Sequence, residues 1–277
     1  MEKENLIKIA KELHKEAFDA NAYYLIMQQY KQFKNKYSPE MQLSPAFYNV
    51  VYDALQKACF MEIAKLYDQS KDVISIGWFL TKCQENISFF PEYRDIIKIN
   101  DDGVEYSFPV PYQHHLKTEE ECFFKKQVES QRAIFKIFNI DSSESTPVQV
   151  DLTFPEFLDL YCKRFRSLSK KKENIRVQRN KIYAHNDTMR IMNEETIYQQ
   201  NPITYPDIQE LIDFALDCIG LILGILTGIC PATEYSNIDD WEGTLMLAKL
   251  GLKYQNYDSE QKEKLYGKNF IQGIRSE

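Results

Sequence analysis

Glycine and proline are scarce in this chain, nine and ten residues out of 277. Scarcity of both helix breakers excludes collagen-like and low-complexity architectures and leaves room for long uninterrupted elements. The six cysteines stand alone, at 59, 83, 122, 162, 218 and 230. None is paired at the spacing of a zinc knuckle or a redox motif, so reduced thiols in a cytoplasmic protein are expected. Long hydrophobic runs are also missing. The most apolar one, residues 219–230, is too short to span a bilayer and follows Asp213 and Asp217. It reads as a buried core helix, with no membrane partner. The charged, helically patterned N-terminus has no signal-peptide character. Excess positive charge is lacking as well. A net −7 and a pI near 5.3 argue against a general nucleic-acid coat protein, so any such contact must be local.

What is present in quantity is helical periodicity, with 44% hydrophobic residues to build a substantial core. Leu6, Ile9, Ala10, Leu13, Ala17, Ala20, Tyr24 and Met27 follow three-and-four spacing. Ser44-Pro45 opens a second helix running to about Tyr67, and a third covers roughly residues 75–89 before Pro91. Asn100-Asp101-Asp102-Gly103 signals a turn, after which Val104, Tyr106 and Phe108 alternate as a short strand or extended arm. Thr118 with Glu121 resembles a capping box for a helix to about Phe138, and residues 139–151 read as a loop. Thr153 and Pro155 open one long helix or two stacked ones to His185, with a break expected within 167–173. A helix from Pro206 to about Gly228 follows, then two shorter C-terminal helices interrupted at Gly251. The expected fold is all-α, an up-and-down helical bundle in a single domain over 1–277. Its core lies at about 1–90 and 150–230, with an insertion at about 91–150 and a helical C-terminal extension at 231–277.

Positive charge is concentrated in one place. Residues 163–181 hold nine Lys/Arg and one acid, Glu173, a net +8 that leaves −15 on the rest of the chain. Near its end stands Arg179-Asn180-Lys181-Ile182-Tyr183-Ala184-His185-Asn186-Asp187. An imidazole serves as general acid or base near neutral pH, and a guanidinium stabilises charge developing on a phosphorane. Those are the parts needed to cleave RNA without a metal or cofactor. On an ideal helix, six residues at ~100° each set His185 about 120° round from Arg179. Convergence therefore needs the helix end to unwind near Asn186-Asp187, or a second subunit to complete the site. The alternative is an ordinary helix C-terminus, where His185 meets the dipole and Asn186 makes the stop.

Arg179-Asn180 followed by His185 resembles the Arg–polar–His signature of the HEPN superfamily, and RNKIYAHND is similar to the corresponding segment of its abortive-infection AbiU-like branch. Residues 54–68, ending Lys65-Leu66-Tyr67-Asp68 before Val73-Ile74-Ser75-Ile76, resemble a second landmark of that branch. The helix carrying Ile208, Leu211, Ile212, Ala215 and Leu216 matches a third. The resemblance implies a helical bundle that dimerises so that two motifs face one cleft. It implies a metal-independent endoribonuclease acting as toxin or effector in anti-phage defence or a toxin–antitoxin system. His185 would be the acid/base, Arg179 would bind the scissile phosphate, and Asn180 would orient phosphate or imidazole. RNA, a second copy, and an antitoxin or nucleotidyltransferase are the implied partners. Some HEPN toxins carry a modifiable tyrosine two residues after the histidine; here that position is Asp187. Many superfamily members keep the fold without catalysis, so a module that binds RNA, nucleotide or a partner protein is the competing reading.

Around the motif, Lys170, Lys171, Lys172, Arg176 and Lys181 are candidates for RNA-backbone contact, against a solvated charge run. Tyr183 stacks on a base or packs, with packing favoured. Asp68 reads as a helix terminator, His14 as a surface residue, and His114-His115 as part of a solvated loop rather than a metal site.

Overall fold

The computed structural model describes residues 1–70, 72–116, 124–140, 148–183 and 188–266. In chain order the elements are α1 (Lys3–Lys36), α2 (Ser38–Met41), α3 (Pro45–Leu66), α4 (Ile76–Glu85), β1 (Asp95–Asp101), β2 (Val104–Val110), β3 (Tyr112–Leu116), α5 (Lys125–Ile137), β4 (Val148–Leu152), α6 (Phe154–Ser167), α7 (Ser169–Gln178), a π-helical turn (Arg179–Tyr183), α8 (Thr188–Gln200), α9 (Tyr205–Thr227) and α10 (Glu242–Tyr266). The all-α expectation holds, with only two small two-stranded sheets among the described residues. Among them, too, no helix is long and apolar enough to cross a membrane.

The chain forms two compact units. One comprises residues 1–12, 68–170 and 218–230. Here Ser75 caps α4, its hydroxyl accepting from the Trp78 N–H. Thr153 and Glu156 open α6, the carboxylate accepting from the Thr153 N–H at 2.8 Å and its hydroxyl at 2.9 Å. Helix α6 then buries Phe154, Phe157, Leu158 and Tyr161, one apolar stripe at helical spacing. It packs against α4, β3 and β4, and Phe154 stacks on Phe90 with ring centres 4.2 Å apart.

The region at 91–152 holds more strand than its sequence advertises. The Asn100–Gly103 turn joins β1 to β2, with φ of 46° at Asp102 and 81° at Gly103, the left-handed pair a two-residue hairpin needs. Its partner strand β1 was not foreseen. Nor was β4, which lies within the segment read as a loop and pairs antiparallel with β3, His114 opposite Val150. His114-His115 is therefore strand rather than solvated loop, and His114 rests edge-on against Phe157 and Tyr161. The Thr118–Glu121 capping box lies outside the described residues.

The other unit comprises residues 13–67, 171–217 and 231–277. Its part of α1 buries Leu13, Ala17, Ala20, Tyr24 and Met27, as the spacing predicts. His14 departs from expectation. It is buried, its Nε2 has no hydrogen-bond partner, and burial holds its pKa below the usual histidine value. Cys59 is buried in α3 and its thiol is pushed up to about 12, chiefly by that burial. Helix α8 occupies a stretch to which the sequence assigned no element. Helix α10 runs through Gly251 as one helix, where two were expected. Helix α9 ends among residues 218–230 of the first unit, where Gly228 takes a φ of 72° and donates to the Gly224 carbonyl at 2.7 Å.

Candidate functional site

Helix α7 and the π turn that continues it carry the motif, and polar contacts hold them in place. Asn174 and Gln178, four residues apart on α7, are both buried. Asn174 Nδ2 donates to the Pro202 carbonyl at 2.7 Å, and Gln178 Nε2 to the Asn201 carbonyl at 2.5 Å. Two successive carbonyls of the segment between α8 and α9 are thus pinned to one face of the motif helix. The sequence reading missed both residues. The signal was there: Asn174, Gln178 and Ile182 recur every four residues alongside Ile175, so polar side chains stand on the buried stripe.

The start of α9 is tied to the same helix by charge. Lys171 Nζ bridges Asp207 at 2.8 Å and also contacts Glu210. Asp207 accepts from the Thr204 N–H at 2.9 Å and hydroxyl at 2.6 Å, which caps α9. Its carboxyl is held down at about 2, first by the bond from Lys171 and then by Thr204. Lys171 is raised above the ordinary lysine value, Asp207 being the largest cause and Glu210 the next.

The remaining cations differ in exposure. Lys170 and Lys181 are exposed. Arg176 makes a two-pronged pair with Glu173, at 2.7 and 2.8 Å, on the exposed surface. Lys172 is only 5% exposed, and burial lowers its pKa to about 8.

At the motif itself the backbone loosens into a π turn, the type of local widening that recurs at functional sites. Arg179 Nε donates to Asn180 Oδ1 at 2.9 Å, which fixes the plane of the guanidinium. Ile182 is buried. Tyr183 packs on Phe60 of α3, ring centres 4.9 Å apart, and hydrogen-bonds Tyr198 of α8. Burial first, then that bond, raises its pKa far above the usual tyrosine value. A cavity of about 90 Å³ opens beside these rings, lined among others by Gln56, Phe60, Gln178, Tyr183, Tyr198 and Tyr205. At its rim Tyr205 shares a 2.7 Å hydrogen bond with Tyr52, and Lys31 Nζ sits 3.2 Å over the Tyr205 ring. His185, with Ala184, Asn186 and Asp187, lies outside the described residues.

Sequence segments that resembled family landmarks meet here in one unit. Phe60 touches the π turn, and Tyr67, buried at the end of the α3 landmark, donates to the Leu211 carbonyl of α9 at 2.5 Å. Asp68 turns the chain, accepting from the Ser70 N–H at 2.8 Å. Among the described residues no group of three His, Cys, Asp or Glu side chains is gathered as a metal site.

The model of the HEPN family AbiU2 matches residues 3–244. No curated protein and no solved structure matches the chain. The chain belongs to the AbiU2 family of HEPN proteins, and its role is of the HEPN type associated with abortive infection.

Proposed function

We propose that this chain is a metal-independent endoribonuclease, the effector of a prokaryotic anti-phage or toxin–antitoxin system. The ribose 2′-OH attacks its own 3′-phosphorus while His185 accepts the hydroxyl proton and then protonates the departing 5′-oxygen. Arg179 binds the scissile phosphate and stabilises the charge that builds on its oxygens. Asn180, bonded to Arg179 Nε, keeps the guanidinium in one plane, so less reorganisation is needed when phosphate arrives. The products are a 2′,3′-cyclic phosphate and a 5′-OH. The observation that carries this reading is Arg179-Asn180, the opening pair of the family's Arg–polar–His signature, set on a π turn with Arg179 already oriented by its neighbour.

The six RNA-contact candidates divide by burial. Lys170 and Lys181, both exposed, take the phosphate backbone. Arg176 joins them by exchanging its exposed pair with Glu173, an interaction of small worth. Lys171 and Tyr183 act by holding the motif helix on α9 and α3, and Lys172 is buried. A second copy supplies a second Arg179 and His185 to the cleft. An antitoxin or nucleotidyltransferase restrains the activity, though Asp187 offers no hydroxyl for tyrosine-type modification.

Purified wild type and His185→Ala are compared on RNA in excess chelator, with end-group analysis of the products. The expected result is cleavage to cyclic phosphate by wild type and a loss of about two to four orders of magnitude in the variant. A 3′-OH product, a requirement for Mg²⁺, or full activity in the variant removes the mechanism. The second reading, a non-catalytic module that binds RNA or a partner, is favoured by the engagement of Lys171 with Asp207 and Glu210 and by the burial of Lys172. RNA retention without cleavage by wild type would establish it.

A further inference from the structure

We propose that the outward face of α10 is a seam through which two copies of this chain pair. The helix has two apolar edges. Leu245 is buried in a cluster with Tyr30, Phe33, Tyr37 and Met41, and roots the helix in its own unit. The ion pair of Lys36 with Glu242, at 2.6 Å, holds its first turn. On the other edge Leu247, Leu250, Tyr254 and Tyr257 recur at intervals of three, four and three. On an ideal helix they point about 120° to 200° round from Leu245. All four are 60–70% exposed, and Met246 beside them is 54% exposed.

That spacing is the a/d line of a helix–helix contact, and large side chains so placed are what such a contact buries. Charge fits a second copy as the occupant. Lys253 and Glu260 flank the line on one side and Asp258 on the other. With the two helices parallel, Lys253 faces Asp258 of the second copy; antiparallel, it faces Glu260. Neither direction sets lysine against lysine. Asp258 already accepts from Lys262 at 2.8 Å, and a carboxylate has lone pairs for another donor.

The area fits as well. At these exposures the five side chains present roughly 600 Å² per copy, so a symmetric pair hides on the order of 1,200 Å², the lower bound for a specific interface. Two heptads are too few for a free-standing coiled coil, and the Leu245 root removes that need. The seam lies beyond residue 244, where the family match ends, and is independent of the nuclease reading.

The test is sedimentation equilibrium of the full chain at micromolar concentration, wild type against Leu250→Glu/Tyr254→Glu. The double variant is expected to have half the wild-type mass, while Arg179→Ala keeps the wild-type value. Emission in a Trp78→Phe background, from Trp241 packed against the Leu245 cluster, reports whether the root of α10 stays folded. Tyr257→Glu, farther from Leu245, repeats the test if the double variant loses that emission. Equal masses for wild type and folded variants, all monomeric or all dimeric, overturn the proposal. RNA assays on the same proteins judge the nuclease reading separately.

Discussion

Helices α6 and α7 are separated by one residue, Leu168, yet they bury opposite kinds of side chain. Helix α6 buries Phe154, Phe157, Leu158, Leu160 and Tyr161. Helix α7 buries Lys172, Asn174 and Gln178, with Ile175 as its one apolar companion. Removing apolar surface from water is favourable by itself, about 25 cal/mol per Å². Removing an ammonium or an amide from water is unfavourable unless a partner replaces the solvent. The side-chain N–H groups of Asn174 and Gln178 find such partners in the Pro202 and Asn201 carbonyls, while Asn174 Oδ1 finds none among the described residues. The first helix is thus organised to stabilise the fold, and the second to hold a particular backbone segment against the motif. Departures from simple burial rules of this kind concentrate at functional sites.

The difference between α6 and α7 disappears if the motif proves structural. Arg179→Ala is expected to slow RNA cleavage by about two to three orders of magnitude, the usual loss for one donor to a developing oxyanion. The melting temperature should stay close to wild type, because the half-exposed side chain contributes orientation more than packing. Single-turnover cleavage and a thermal melt on the same preparation decide it. A collapse of stability together with activity would make α7 another packing helix and erase the contrast.

The complementary change lies in α6. Phe157→Ala deletes a ring that is 1% exposed and lies 4.9 Å from the Tyr161 ring and 5.8 Å from that of Tyr112. Truncating such a phenylalanine costs about 3–5 kcal/mol. Denaturant unfolding should show the loss as a lower midpoint. A change below about 1 kcal/mol would mean that the α6 stripe does not carry the packing assigned to it.

How far each helix could be read from sequence follows the locality of its signals. The start of α6 was legible because Thr153 and Pro155 are local signals, whereas its buried stripe and the Glu156 half of its cap were not singled out. The α1 stripe was legible because it obeys helical spacing. His14 was misplaced only because chemistry was weighted over position: it falls four residues after Ala10 and three before Ala17, squarely on the buried line. The β3–β4 pair was not legible, since Tyr112 meets Leu152 across an intervening helix and no local residue announces the partner. In the site, Arg179 and Asn180 were named from their types and spacing. The π turn was not, because an extra residue in a helical turn leaves no compositional mark. Nor were Asn174 and Gln178, whose role exists only once the Asn201–Pro202 segment folds back onto them.

Lys172 is the buried cation of α7, and its burial carries a cost that the apolar stripe of α6 does not. Its pKa falls from the ordinary lysine value of 10.5 to about 8 on folding, and the cause is loss of solvent around the ammonium. Such a shift means that keeping the folded protein charged at this lysine costs free energy, on the order of 1–3 kcal/mol. Lys172→Met removes the charge and keeps most of the stem, so it should stabilise the protein at pH 7 by at most that much, less whatever the ammonium's own contacts contribute. Between pH 8 and 10.5 the unfolded chain holds a proton at this lysine that the folded chain has released, so rising pH favours the folded wild type. Below pH 8 both states hold the proton and the penalty is fully expressed. The stability gap between Lys172→Met and wild type should therefore be constant up to about pH 8 and shrink above it. Tyr52, raised to about 12 by burial and its bond with Tyr205, works in the opposite sense above pH 10. It is common to both proteins and cancels in the difference. Guanidinium unfolding of the two proteins at pH 7, 8.5 and 9.5 measures the gap directly. A gap that is already zero at pH 7, or that widens with pH, would show that Lys172 is stabilised by its surroundings, and that α7 buries its polar residues at no cost to the fold.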